Sequence, residues 1–362
     1  MGAYQASMRC EDVVTGTSED LVVSSTMQPD GLLDALEGVP RRSLGTYPTP
    51  LVRLENLSRE LGRGVYVKRD DELGPAGGGN KTRKLEYLLA DAIEAGATKI
   101  VTVGGPQSNH ARLTAAAARM FGLEPHLLLF GSEPKRAAGN LLLDQLLGAR
   151  LHFIPPGPIA SKPCTFEEID AYARKEASER VGDHYHVPLG GSNGLGSLGY
   201  VRAALEIEEQ AKIAGVADAW VVVATGSGGT LAGLVAGLQL IGSSLRLIGI
   251  DVASIWTNYP ELVARIANDA LELIGLPASV EPADVSLIER TYVGRGYAVP
   301  TSDGMAAIRR LAQAEGYLLD PTYTGKAFAG LLDLHASGHF GNEEPVIFWH
   351  TGGLPGLFAG RL

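Results

Sequence analysis

A lysine that directly follows three glycines is the residue of this chain with the clearest potential for chemistry. Gly77, Gly78 and Gly79 precede Asn80 and Lys81, and consecutive glycines favour a loop that lets the backbone approach a ligand closely. Lys81 is predicted to begin a helix, at the end where the helix dipole disfavours a positive charge. Its pKa is therefore expected to be low, which is what Schiff-base chemistry requires. The alternative is an ordinary solvated lysine at a helix start.

A second glycine-rich segment follows a strand of β-branched residues and precedes a predicted helix. Its residues are Thr225, Gly226, Ser227, Gly228, Gly229 and Thr230. Small residues, hydroxyls and a helix N-terminus can bind an anion through backbone N–H groups. The segment contains no lysine, which excludes a nucleotide P-loop. Three interpretations stay open: a monophosphate cradle, a tight turn, or a dinucleotide site with Asp251 on the ribose, although Leu231 stands at the third glycine position.

Hydroxyl and amide side chains recur at other loops of the chain. Ser108 and Asn109 follow a predicted strand, where parallel sheets bind ligands, but both are also common helix N-caps. Tyr297 and Tyr323 lie in glycine-flanked loops, in which a tyrosine is either functional or a satisfied structural residue. The histidines and cysteines show no metal-ligand spacing, so we expect no catalytic metal.

The elements that must position these residues alternate between strand and helix. Strands are predicted at Val65–Arg69, Lys99–Val103, His126–Phe130, Leu151–Ile154, Trp220–Ala224, Leu245–Val252 and Val346–Trp349. Apolar strands that alternate with helices are typical of parallel sheets covered by helices on both faces. A length of 362 residues favours two lobes. The predicted class is therefore α/β, with two lobes that share a cleft.

Composition narrows the possible partners and the compartment. The chain has 31 Lys and Arg against 41 Asp and Glu, a net charge of −10, which argues against nucleic acid or an anionic membrane. No apolar run is long enough to span a bilayer, and the first thirty residues lack the apolar core of a secretory signal. Two cysteines do not make a disulfide framework, which fits the cytoplasm.

Several motifs, in one order, resemble a known family. They are Gly78–Glu86 with the lysine, Gln107–His110, Gly190–Asn193 and Thr225–Thr230. The chain resembles the pyridoxal-phosphate family of D-cysteine desulfhydrase and 1-aminocyclopropane-1-carboxylate (ACC) deaminase, a branch of the fold-type II, tryptophan-synthase-β-like enzymes. The resemblance runs from about Tyr47 to the C-terminus. A nicotinamide enzyme does not need the lysine loop, so the dinucleotide oxidoreductase becomes a remote alternative.

The resemblance implies a role for each motif. Pyridoxal phosphate would be held as a Schiff base by Lys81, with its phosphate in the segment Thr225–Thr230 and its ring oxygen O3′ on Asn109. Asn80, Lys84 and Thr351 are implied as further cofactor contacts, with Thr351 at the ring nitrogen. The residues implied to bind substrate are Ser108, Asn109, His110, Tyr297 and Tyr323. Lys81, Ser108, Tyr297 and Tyr323 are the candidate acid–base groups.

Two positions favour one activity of this family. Deaminases carry a glutamate directly after the second tyrosine, whereas Thr324 stands here, and Thr351 occupies the position before Gly352. A hydroxyl beside the ring nitrogen makes the cofactor a weaker electron sink than a carboxylate does, which favours β-elimination of a good leaving group. We therefore predict conversion of D-cysteine to pyruvate, hydrogen sulfide and ammonia. ACC deamination and a lyase for a related substrate such as L-cysteate are the alternatives, because Leu113, Thr322 and Trp349 depart from the family pattern.

The expected organisation follows from the same resemblance. Residues 1–45 form a partly loose tail with a short helix near Leu32 and Leu36, residues 46–77 and 190–362 form the large cofactor-binding domain, and residues 78–189 form a small inserted domain. The expected partner is a small amino-acid substrate, without nucleic acid or membrane. A homodimer is implied by the resemblance.

Overall fold

The strands of the chain form two separate sheets. A computed structural model describes residues 26–160, 163–341 and 343–360; residues 1–25 of the expected tail lie outside that part. The strands are β1 (Leu51–Arg53), β2 (Val65–Lys68), β3 (Lys99–Gly104), β4 (Glu124–Phe130), β5 (Arg150–Ile154), β6 (Tyr185–Val187), β7 (Trp220–Thr225), β8 (Arg246–Asp251), β9 (Leu287–Ile288) and β10 (Val346–Trp349).

Helices cover both sheets. They are α1 (Pro29–Glu37), α2 (Glu55–Leu61), α3 (Lys81–Glu94), α4 (Asn109–Met120), α5 (Gly139–Leu146), α6 (Phe166–Val181), α7 (Gly194–Ile213), α8 (Gly229–Leu240), α9 (Tyr259–Leu273), α10 (Ser302–Glu315) and α11 (Thr324–Ala336). The short helix expected in the tail is α1. None of the helices within the described ranges has the length and apolar character that a membrane crossing requires.

The larger sheet has the strand order β1-β2-β10-β7-β8-β9, and the smaller sheet has the order β5-β4-β3-β6. All pairs are parallel except β1 with β2. The predicted α/β class with mostly parallel sheets is confirmed. The three-residue strands β1 and β6 were not predicted, because so few residues show no hydrophobic periodicity.

The core beneath the larger sheet depends on a close helix pair, α7 and α8. A Cβ atom on Gly233 would lie 2.3 Å from Ser197 O, and one on Gly237 would lie 2.5 Å from Ala204 Cβ. Both positions therefore exclude any side chain. The close approach of the two helices fixes the position of the start of α8, and therefore of the loop after β7, relative to the sheet.

The carboxyl ends of the central strands meet at one edge of the molecule. The loops after β3, β7 and β10 carry Ser108, Gly226 and Thr351 respectively. Parallel strands end at the same edge, which is where open α/β sheets bind ligands. The two sheets therefore present their polar loops to a common cleft.

Candidate active site

The glycine loop before Lys81 packs on the loop that follows β10. The backbone N–H of Asn80 donates to Thr351 O at 3.0 Å. Gly78 has a φ of 63°, and a Cβ atom there would lie only 2.3 Å from Asp71 O. A side chain here would clash with the turn that follows β2, so this glycine sets the position of the lysine that follows.

Lys81 is the first residue of α3 and lines the cleft, where it is partly exposed. Among the described residues, its Nζ atom has neither a hydrogen-bond nor an ion-pair partner. Burial by the surrounding protein lowers the pKa of Lys81 to about 8. The direction agrees with the prediction, but the cause is loss of water rather than the helix dipole. At pH 7 about a tenth of this amine is therefore neutral and nucleophilic.

The Thr225–Thr230 segment joins β7 to α8 and is supported from behind by side chains that precede or begin α9. The Thr225 hydroxyl lies 2.7 Å from that of Tyr259, and the indole N–H of Trp256 donates to Gly226 O. These supports were not identified from the sequence, because they lie about thirty residues further along the chain. Only the packing of α9 brings them to the segment.

Polar contacts join the lysine loop to this segment. Asn80 Nδ2 donates to Thr230 Oγ1 at 3.0 Å, and Lys84 Nζ donates to Ser192 Oγ at 3.0 Å. Ser192 in turn lies 2.8 Å, oxygen to oxygen, from Ser227. The Gly190–Asn193 motif thus forms the bridge between the two glycine-rich loops that the sequence singled out.

This arrangement suits a cofactor that has both an aldehyde and a phosphate. A cradle that a Cβ atom would fill lies beside Lys84: an added Cβ on Gly229 would be 2.9 Å from Lys84 Nζ. The N-terminus of α8 provides positive potential for a phosphate. The buried Lys84 amine, whose pKa burial lowers well below its usual value, adds N–H donors there. The unpartnered amine of Lys81 supplies the nucleophile for the aldehyde. The residues present therefore fit pyridoxal phosphate.

The loop after β3 places Ser108 and Asn109 at the start of α4. The Ser108 hydroxyl accepts from the backbone N–H of Ala111 at 3.1 Å, so it is the helix N-cap. Asn109 is half-buried, and its Oδ1 accepts from Asn140 Nδ2 at 2.9 Å. Ser108 is only 6% exposed, and the ligand contacts expected of both residues stay a prediction.

His110, in contrast, is turned into the protein and is only 3% exposed. The Thr102 hydroxyl donates to Val187 O at 2.8 Å, so His110 Nε2, 2.8 Å from that hydroxyl, must donate to it. Burial, followed by the nearby Lys81 and Lys84, keeps the pKa of His110 well below its usual value. His110 is therefore a neutral residue whose Nε2 is occupied by the protein.

Tyr297 and Tyr323 come together although 26 residues separate them. Their hydroxyls are hydrogen-bonded to each other, and the rings pack edge to face with centroids 5.9 Å apart. Burial raises the pKa of both tyrosines, most strongly that of Tyr323, whose neighbour Tyr297 adds to the effect. Both hydroxyls are therefore protonated at neutral pH. A Cβ atom on Gly226 would lie 3.6 Å from the Tyr323 ring, so the pair borders the phosphate segment.

Thr324 is occupied by a structural partner. Its hydroxyl donates to Asp320 Oδ1 at 2.8 Å and accepts from the Asp320 N–H at 2.8 Å. Asp320 also accepts from the N–H groups of Thr322 and Tyr323. This turn shapes the start of α11 and holds Tyr323 in place.

The residues that depart from the family pattern are placed in different surroundings. Leu113 packs on the lysine loop, since a Cβ atom on Gly79 would lie 3.2 Å from its Cδ1. Trp349 is fully buried and packs against Tyr200 of α7, with ring centroids 5.8 Å apart. The indole therefore packs on the layer beneath the sheet.

The carboxylate that suggested a dinucleotide site has a structural task. Asp251 is 2% exposed and accepts from the N–H groups of Ala253 and Ser254 at 2.8 and 3.0 Å. These bonds close the turn after β8. The position of Asp251 after its strand is therefore accounted for without a ribose.

Known proteins resemble the chain over almost its whole length. Residues 42–352 match a family described as pyridoxal-phosphate dependent enzymes. The D-cysteine desulfhydrase of Klebsiella pneumoniae is 44% identical over 336 residues, which cover 90% of this chain and 98% of that protein.

Solved structures also resemble the chain over most of its length. The crystal structure of an ACC deaminase homologue superposes with a TM-score of 0.79 at 39% identity, covering 90% of this chain and 96% of that one. Threonine deaminase isoform 2 from Solanum lycopersicum superposes with a TM-score of 0.62 at 18% identity, covering 97% of this chain and 91% of that one. The second likeness concerns the fold alone.

Proposed function

Because the chain belongs to the family of pyridoxal-phosphate dependent enzymes, we propose that it eliminates the β-substituent of a small amino acid, with D-cysteine as the substrate. The products are pyruvate, hydrogen sulfide and ammonia. The cofactor expected from the motifs is the one that gives the family its name.

One observation carries the proposal: the unpartnered amine of Lys81 stands in a cleft bordered by the anion cradle and a pair of protonated tyrosines. Lys81 is the residue that would bind the cofactor, with Thr225–Thr230 and Lys84 at its phosphate. When bound, pyridoxal phosphate withdraws electrons from the Cα atom of the substrate. The remaining steps are proton transfers that the protein must provide.

The side chains present can provide these transfers. Lys81 Nζ takes the proton from Cα, since a pKa of about 8 leaves part of the amine able to accept one. The Cβ–S bond then breaks, and the departing sulfur takes a proton from the Tyr297–Tyr323 pair, which holds two. Ser108 and Asn109 orient the substrate from the opposite loop. The released enamine hydrolyses to pyruvate and ammonia.

Elimination from D-cysteine is preferred over ACC deamination for a reason of charge. Thr351 offers a hydroxyl to the ring nitrogen, and a hydroxyl does not stabilise a protonated ring as a carboxylate would. Sulfide leaves without the strong electron sink that ring opening demands. The relative from Klebsiella pneumoniae that bears the desulfhydrase name supports the same choice.

The organisation of the molecule is part of the proposal. A large cofactor-binding domain of residues 46–77 and 190–362 and an inserted domain of residues 78–189 agree with strands β3–β6, which form a sheet of their own. We also infer a cytoplasmic homodimer. Sedimentation of the purified protein at several concentrations tests the dimer.

Replacement of Lys81 tests the chemistry. The Lys81→Ala protein should lose pyruvate formation from D-cysteine by roughly 10²–10⁴-fold, together with the visible absorbance of cofactor held covalently. Lys175→Ala, at a lysine whose side chain is 70% exposed, is the matched control and should keep both. Full turnover by Lys81→Ala would refute the proposal.

A substrate series tests the choice of reaction. D-cysteine, L-cysteine, L-cysteate, β-chloroalanine and ACC are compared by pyruvate formation, and by 2-oxobutyrate formation for ACC. We expect D-cysteine to give the highest kcat/KM. ACC turnover at a rate near that for D-cysteine would overturn the argument from Thr351.

A further inference from the structure

Asn140 is a buried amide behind the cleft that is hydrogen-bonded to Asn109. Asn140 is the second residue of α5 and is 0% exposed. Its Nδ2 donates to Gln107 O at 2.9 Å and to Asn109 Oδ1 at 2.9 Å. One nitrogen therefore serves two acceptors on the loop that follows β3.

These contacts fix the orientation of both amides. Gln107 O is a backbone carbonyl, which can only accept, so the atom of Asn140 beside it has to be the N–H₂ group. The same nitrogen can then pair with Asn109 only through the Asn109 oxygen. Asn109 Nδ2 consequently points along the other branch of its amide, where no described residue accepts from it.

The position of Asn140 is itself secured. Its backbone N–H donates to Gln107 Oε1 at 3.0 Å, and Gln107 Nε2 donates to Ala138 O at 2.9 Å. Gly139 has a φ of 58°, and a Cβ atom there would lie 2.5 Å from Gln107 Oε1. The start of α5 and the loop before Asn109 are thus held as one unit.

We propose that Asn140 is a positioning residue: it turns the Asn109 amide so that its N–H₂ group faces the cleft and donates to the anionic ring oxygen of pyridoxal phosphate. The proposal rests on the proposed function and on the contact between Asn109 and the ring oxygen O3′ that the family resemblance implies. Asn140 itself does not touch the cofactor.

The orientation matters because the two ends of an amide act oppositely on an anion. The N–H₂ end forms a charge-assisted hydrogen bond with the ring oxygen, whereas the carbonyl end would repel it. Loss of such a bond lowers affinity by about tenfold or more. It should also change the visible absorption band of the bound cofactor, since this oxygen belongs to the absorbing system.

Asn140→Asp reverses the polarity at nearly constant shape. A carboxylate accepts only, so Asn109 has to present its nitrogen to position 140 and its oxygen to the cleft. In the full-length protein stripped of cofactor, we expect the dissociation constant of pyridoxal phosphate to rise about tenfold or more, with a shifted absorption band. Asn140→Ala, which leaves Asn109 free to rotate, should have a smaller effect of the same kind.

Asn268→Asp is the control for a structural asparagine. Asn268 Nδ2 also donates to a backbone carbonyl, that of Val280, at 2.8 Å. It lies on α9, and its hydrogen bonds within the described part of the chain do not reach a site residue. This variant should lose stability while the cofactor band and dissociation constant stay unchanged.

The outcomes separate the two proposals. If both Asn140 variants fold and bind the cofactor like the unmodified protein, with the same band, the positioning role is overturned; Asn140→Ala alone decides if the aspartate variant does not fold. If the unmodified protein forms no pyruvate from D-cysteine but Asn140→Asp still weakens cofactor binding, the substrate assignment fails and the positioning role stands.

Discussion

Two buried arginines flank the lysine loop, and they are partnered in opposite ways. Arg83 on α3 is 2% exposed and Arg112 on α4 is 0% exposed. Arg83 binds two carboxylates: Asp70, with Nε–Oδ2 and Nη2–Oδ1 distances of 2.9 and 2.8 Å, and Glu206, with Nη1–Oε2 and Nη2–Oε1 distances of 2.9 Å each.

Arg112 binds backbone carbonyls instead. It donates to Ala76 O and, at 3.1 Å, to Gly78 O, both in the lysine loop. Its Nε atom and both carboxylate oxygens of Asp144 on α5 are buried without a hydrogen-bond partner among the described residues. The two charges lie near each other but do not form an ion pair there.

The pKa values record the same contrast. Burial alone would raise the pKa of Asp70, but Arg83 outweighs it and holds the pKa below the usual value. For Asp144, burial prevails and raises the pKa to about 7, because Arg112 opposes it only in part. Burial likewise lowers the pKa of Arg112 to about 10.

The difference shows how the protein holds its reactive lysine. On one side, Arg83 together with Lys68 faces the carboxylates of Asp70 and Glu206. These two cations and two anions join the end of β2 to α3 and α7, which fixes the helix that begins at Lys81. On the other side, Arg112 of α4 donates to carbonyl groups of the loop. The first contact secures the fold, and the second secures the shape of the loop.

The largest loss of stability should come from a substitution at Arg83, whose guanidinium binds two carboxylates. Arg83→Met removes a cation from the buried carboxylate of Asp70 and from that of Glu206, whose side chain is 13% exposed. Breaking a buried pair in this way costs about 3–5 kcal/mol. Chemical denaturation of the cofactor-free protein measures the loss. Arg310→Met, at an exposed ion pair with Glu60, should cost about 1 kcal/mol or less. Equal losses in the two variants would show that the Arg83 network does not anchor the fold.

Arg112→Met should separate loop geometry from global stability. It removes two charged donors from the carbonyls of Ala76 and Gly78, at a cost of about 2–3 kcal/mol. It should also weaken the binding of pyridoxal phosphate more than Arg83→Met does, because the lysine loop loses its hydrogen bonds to Arg112. The two variants are compared at temperatures where both are folded. Cofactor titration measures this ratio. A weaker effect on the cofactor than that of Arg83→Met would reverse the roles assigned to the two sides.

Local structure could be predicted from the sequence, whereas contacts between distant residues could not. The strand–helix alternation and the glycine-rich loops are local patterns, so the α/β class, the long strands and the lysine loop were accessible. The low pKa of Lys81 was expected from its helix position, but burial, a tertiary property, is its cause. Asn140, Asp144 and Tyr259 could not be identified from the sequence, because the residues near them in the structure lie about thirty residues away along the chain and approach them only through helix packing.

The smallest expected effect concerns Asp144, and it depends on pH. The pKa of Asp144 is raised in the folded protein, to about 7 from an ordinary value of 3.8. Between these values the folded state holds a proton that the unfolded state has released, so stability falls as pH rises through this window. Each pKa unit corresponds to about 1.4 kcal/mol, and relaxation around the charge reduces the total.

Asp144→Asn cannot ionise and should not show this fall. Near pH 4 the variant and the unmodified protein should be about equally stable, and above pH 7 the variant should be more stable by about 1–2 kcal/mol. Denaturation midpoints across that range provide the measurement. Asp34→Asn, at an exposed position of α1, should follow the unmodified protein throughout. If the stability curve of Asp144→Asn stays parallel to that of the unmodified protein, the charge of Asp144 is already balanced by Arg112. The two arginines would then differ in their hydrogen-bond geometry and not in how well their charge is balanced.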